Sequence, residues 1–137
     1  MISKEYSVYM IHLSKDVLVK DTPEAGMFTA KNFLKANPDY DLKSKIKPCV
    51  YIGYTSIDPE ERYLQHKNRI PKKKLSKTGK PIRNWNPYAA EFFDRPERKK
   101  LPFKKKHKTV FAAKKHEQNL ANFYRKKGYA VWGGQKE

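Results

Sequence analysis

Five side chains spread along a 137-residue chain have the types and spacing to act together: Tyr9, Tyr51, Arg62, His66 and Glu117. Arg62 and His66 are four residues apart, so on a helix they share a face. A guanidinium beside an imidazole repels if both are charged, which favours a neutral histidine or an anion shared between them. Glu117 falls in a segment where Ala113, Leu120 and Tyr124 make one apolar helical face, and it occupies the position that completes the i, i+4, i+7, i+11 spacing. An acid on such a stripe is costly unless it is paired or holds a cation. A hard ion such as Mg²⁺ suits it, because that ion needs few protein oxygens and keeps its waters. Taken singly, each residue has a plainer reading. Glu117 could sit at the stripe's edge and pair with Lys114, Arg62 and His66 could be a solvated pair, and strand tyrosines usually pack.

The elements that must position these groups can be read from the same stretches. KPCVYIGYTSIDPEERYLQHK, residues 47–67, reads as a strand over 48–54 closed by a glycine, then a turn, then a helix over 58–67. Asp58 is its expected N-cap, Pro59 its first helical residue and Glu61 lies three after the cap. Residues 5–13 alternate as a strand, with Tyr6, Val8, Met10 and His12 on one face and Ser7, Tyr9, Ile11 and Leu13 on the other. Thr22-Pro23 starts an expected helix over about 23–35, and 36–47 is connector. Residues 68–108 are Lys-rich and broken by Pro and Gly, with 88–93 either a strand or a helical turn. Thr109 and Gly128 bracket a helix carrying Arg125, Lys126 and Lys127 in its last turn. Residues 129–134 read as a short final strand or an extended tail.

Composition narrows the function classes. The chain is expected to be one domain, 1–137, with an added helix around 23–35 and a basic segment over 67–108. No apolar run approaches the ~18 residues of a membrane span. MISKEYSVYMIHL alternates like a strand and is not the pattern of a signal peptide. A single cysteine, Cys49, excludes a disulfide framework and makes a reducing, cytoplasmic setting the default. Lys and Arg total 31 against 14 acids, a net charge of +17. Residues 1–66 are balanced, with 9 basic and 9 acidic side chains, so the whole excess lies in 67–137. Such one-sided charge points to a polyanion. Aromatics interleave with it, including Trp85, Phe92, Phe103 and Phe111, and bases stack on such rings. Lys72, Lys73, Lys74, Lys104, Lys105 and Lys106 are the expected nucleic-acid contacts. A solvated lysine-rich surface is the plainer alternative.

In order along the chain, Ser7-Val8-Tyr9, the intact triplet Tyr51-Ile52-Gly53, Arg62 with His66 in the next helix, and Glu117 in a later helix resemble the GIY-YIG nuclease superfamily. The likeness spans roughly 5–67 and 109–135. It departs in two respects. The segment from Ser14 to Lys47 is long, and no clear position carries the asparagine that often follows the glutamate helix. Gln135 is the nearest candidate.

The resemblance implies an α/β fold with a small, mostly antiparallel sheet of about three strands flanked by helices. It also implies divalent-metal-dependent hydrolysis of DNA phosphodiesters, with RNA left open as substrate. By it, Tyr9 takes a proton from water directly or through His66, Tyr51 orients the water or the phosphate, and Arg62 holds the non-bridging oxygens. Glu117 binds one Mg²⁺ or Mn²⁺ beside the leaving oxygen, and Gly53 lets the turn pass close to the site. The five groups are expected to converge on one cleft, with the glutamate helix crossing the sheet face that carries the tyrosines. No membrane partner is implied, and the oligomeric state is left open, a monomer being one of the options. The alternatives are a non-catalytic nucleic-acid-binding module on the same scaffold, and a basic structural protein, which leaves Glu117 unexplained.

Overall fold

The computed structural model describes residues 4–99, 101 and 106–134. It is an α/β fold built on a four-stranded mixed sheet in the order β3-β1-β2-β4. The strands are β1 (Ser7–Leu13), β2 (Cys49–Thr55), β3 (Phe93–Pro96) and β4 (Ala130–Trp132). β1 pairs antiparallel with β2 along its whole length, with Tyr9 opposite Gly53 and Ile11 opposite Tyr51. β3 adds antiparallel to β1, with a register irregularity between His12 and Leu13. β4 adds parallel to β2.

The sheet thus has one strand more than the roughly three expected, and one of its pairings is parallel. Two short edge strands account for the difference. β3 is four residues ending in Pro96, which only an edge tolerates, and β4 is three residues long. Neither is long enough to show alternation. The glycine expected to end the second strand lies inside it, since β2 runs on to Thr55.

Alternation along β1 and β2 sorts side chains onto two faces. Tyr9, Ile11, Leu13 and Cys49 pack with Phe33, Tyr40, Tyr63 and Tyr88 on one face. Val8, Met10, Val50 and Ile52 pack with Leu120, Ala121 and Tyr124 on the other. The first face is covered by α1 (Ala30–Lys35), α2 (Pro59–Lys67) and α3 (Pro87–Glu91), and the second by α4 (Val110–Lys126).

Caps set the helix starts. Asp58 accepts from the Glu60 N–H and Thr109 from the Ala112 N–H, while Gly128 takes the positive φ that follows α4. The helix expected over 23–35 is confined to Ala30–Lys35, capped by Thr29. Thr22 does not cap it. Its hydroxyl donates to the Phe28 carbonyl, closing a turn in which Ala25 and Gly26 both have positive φ, so no helix can run through. Residues 88–93 divide between α3, capped by Asn86, and the start of β3.

Candidate active site

Tyr9 and Gly53 face each other across the β1–β2 ladder, and Tyr51 lies diagonally from Tyr9 on the same face. A Cβ at position 53 would fall 2.7 Å from the Tyr9 hydroxyl and 2.9 Å from the Tyr51 hydroxyl. The two phenol oxygens therefore meet over the spot where Gly53 lacks a side chain. This close approach explains the glycine better than the turn expected there.

α2 brings two more groups to this spot. His66 is fully buried, and its Nε2 lies 2.7 Å from the Tyr9 hydroxyl. On the far side of the ring, Nδ1 accepts the backbone N–H of Asn86 at 2.9 Å. Burial, with the Arg62 charge adding to it, pushes the His66 pKa down to about 3, so the ring is neutral near pH 7. With Nδ1 accepting, the one ring proton sits on Nε2 and is donated to the Tyr9 oxygen. A proton route from water through His66 then has no acceptor nitrogen, which corrects that part of the expectation. Arg62 Nη1 donates to Gln65 Oε1 at 2.9 Å and to the Asn84 carbonyl. The 84–86 segment thus fixes both Arg62 and His66. Nothing in the sequence assigned it that task, although Asn86-Pro87 is a legible helix start.

Burial raises the Tyr9 pKa, while the Arg62 charge, the Tyr51 hydroxyl and contact with Arg62 oppose that rise. Tyr51 keeps part of its ring at the surface but its hydroxyl is enclosed, and burial with the nearby Tyr9 and Glu117 charges holds its pKa well above the usual value. The Glu117 charge acts on both tyrosines.

Glu117 arrives by a different path from the one expected. α4 packs on the face opposite the tyrosines. Its buried stripe is Ala113, His116, Leu120, Ala121 and Tyr124, with Glu117 half-buried at the border. β4 ends at Trp132, and two residues later the Gly134 N–H donates to Glu117 Oε1 at 2.7 Å. The carboxylate is thus tied to the chain leaving the β4 edge, and from there its charge reaches the tyrosine pair.

Glu117, Tyr9 and Tyr51 supply oxygen donors only, and both nitrogens of His66 are engaged. Among the described residues no group of three or more His, Cys, Asp or Glu is placed to hold a metal ion. A single carboxylate is a hard oxygen donor of the kind that Mg²⁺ or Mn²⁺ takes, not a softer metal that favours nitrogen and sulfur.

Beside this cluster, Arg62 lines a cleft of about 430 Å³ with Tyr54, Thr55, Gln65, Asn84 and Lys72. Lys73 and Lys74 continue the same exposed loop, which folds back through Lys72 N–H to the Ile82 carbonyl. Lys106 is exposed and lies 3.8 Å from Glu5. Lys104, Lys105 and Gln135 lie outside the described residues. Two histidine pairings were not foreseen. His12 bonds Glu97 at 2.8 Å, and His107 bonds His116 at 2.8 Å. No helix among the described residues is long and apolar enough to cross a membrane. Comparison with protein-family profiles, curated proteins and solved structures finds no match.

Proposed function

We propose that the protein is an endonuclease of the GIY-YIG type that hydrolyses DNA phosphodiester bonds with one Mg²⁺ or Mn²⁺. The observation that carries this reading is the meeting of the Tyr9 and Tyr51 hydroxyls over Gly53, with His66 donating to Tyr9 and Arg62 alongside. A purely structural tyrosine pair needs neither a buried histidine with a fixed tautomer nor a guanidinium.

Each group then has a task. Tyr9 first gives its own proton to solvent and, as the phenolate, takes one from the attacking water. Donors from His66, Tyr51 and Arg62 favour that phenolate, while burial opposes it. Tyr51 orients the water. Arg62 binds the non-bridging phosphate oxygens, for which its fork geometry is suited. The bond from phosphorus to the 3′ oxygen breaks as the new bond to water oxygen forms, and the leaving oxygen takes a proton from solvent. Glu117 would hold the divalent ion, which when bound supplies positive charge against the phosphate and the leaving oxygen.

Plasmid DNA incubated with the protein should be nicked in Mg²⁺ and spared in EDTA. Tyr9→Phe removes the proton acceptor and should slow cleavage about 10²–10⁴-fold, with DNA affinity unchanged. Binding of DNA without any nicking would replace this reading with that of a binding module.

A further inference from the structure

We propose that Asn37 and Arg125 are positioning residues for Glu117. Together they lock the chain leaving β4, and so fix the Gly134 N–H that orients the carboxylate. This inference rests on the nuclease reading for its meaning, but its geometry stands apart from it.

Asn37 belongs to the long segment between the two tyrosine strands and is 5% exposed. Its side-chain amide pairs with Val131 in β4 as a neighbouring strand would. Asn37 Oδ1 accepts the Val131 N–H at 2.7 Å, and Nδ2 donates to the Val131 carbonyl at 3.0 Å. Nδ2 also donates to the Phe33 carbonyl at 2.9 Å, which anchors it to α1. Arg125 comes to the same carbonyl from α4. Its Nη2 donates to Val131 O at 3.0 Å and reaches Gly133 O at 3.4 Å, and its Nε donates to Asn37 Oδ1 at 3.2 Å. Every oxygen it donates to here is neutral. Burial pushes the Arg125 pKa down, and among the described residues its hydrogen bonds go to neutral oxygens, whereas a desolvated guanidinium usually pairs with a carboxylate. What it gains is a fixed path for residues 131–134.

That path is narrow. A Cβ at position 133 would lie 2.0 Å from the Ile52 carbonyl oxygen, and one at 134 would lie 2.8 Å from the Gln118 Cα. Both residues have positive φ. The two glycines thread between β2 and α4, and the second delivers its N–H to Glu117 Oε1. A carboxylate with one oxygen held by a fixed donor loses rotamer freedom, and so presents its charge to the tyrosines in one orientation. Partners of this kind typically alter metal affinity or activity about 10–100-fold when removed.

The test uses Arg125→Met, Asn37→Ala and Arg125→Lys in the full chain, with two readouts. In plasmid cleavage, Arg125→Met and Asn37→Ala should raise the Mg²⁺ needed for half-maximal rate about 10–100-fold, leaving KM for DNA unchanged. Arg125→Lys should recover part of the loss, since an ammonium can still donate to Val131. In amide NMR of the metal-free protein at constant pH, the Gly134 N–H should exchange slowly with solvent, as an amide bonded to a carboxylate oxygen does. That protection should vanish in Glu117→Ala and be lost in Arg125→Met and Asn37→Ala. A Gly134 amide that stays protected in both folded variants would overturn the proposal. If the parent protein fails to cut DNA, the nuclease reading falls while the amide readout still decides this one.

Discussion

His66 sets the polarity of the tyrosine pair. Because Nδ1 takes the Asn86 N–H, the ring can only donate to Tyr9, and a donor there favours a phenolate. The same burial has a cost that can be measured without any substrate. The folded-state pKa of about 3 lies below the ordinary 6.5, so between those values the unfolded chain binds a proton that the folded chain refuses. Stability from this group is therefore complete above pH 6.5 and is lost as pH falls toward 3, at up to about 1.4 kcal/mol per pH unit. Denaturant titrations from pH 7 to pH 4 should show that slope, and His66→Gln should flatten it. A variant with the same slope as the parent would mean that other groups carry the acid sensitivity, and that His66 is not the buried neutral ring described.

The β1–β2 ladder turns two distant tyrosines into neighbours. Its register places Gly53 under both hydroxyls, so Gly53→Ala should force them apart. Overpacking of this kind costs about 1–3 kcal/mol, and cleavage should fall well beyond what the lost stability explains. A thermal melt paired with a rate measurement checks both, and an unaltered rate would mean that the hydroxyls need not meet. The strands and helices carrying this site were legible because each has a strong local signal. β1 and β2 alternate, and α2 and α4 have caps at Asp58 and Thr109. Legibility failed where tertiary pairing decides. FDRP forms a strand because an edge was open beside β1, and nothing within four residues announces that. Residues 129–134 were legible as a short final strand, but the parallel pairing with β2 was not. It failed again at Glu117, where counting along the helix placed the acid within the stripe. The structure gives the buried position to His116 and leaves Glu117 at the border, tied to Gly134. Asn37, Asn84 and Asn86 act largely through backbone partners, which a sequence does not display.

Over the whole molecule, the charge imbalance and the site belong to one surface at Lys72, which shares a cleft with Arg62. If the loop bearing Lys72, Lys73 and Lys74 tracks a DNA backbone, binding should weaken with salt at a log–log slope of about −0.9 for each phosphate neutralised. Changing the three lysines together to Ala should make the slope shallower and weaken all sequences alike. An unchanged slope would leave them as a solvated loop. The convergence of Tyr9, Tyr51, Arg62 and His66, with the Glu117 charge in reach, was anticipated as an ordered set, but the path of Glu117 around the β4 edge was not.

The most direct test of the account is the Mg²⁺-dependent nicking rate of supercoiled plasmid by the parent protein and by Glu117→Ala, with DNA affinity measured in parallel without metal. The parent should nick, Glu117→Ala should show no detectable nicking, and the two should bind DNA equally. Full nicking by Glu117→Ala would contradict it.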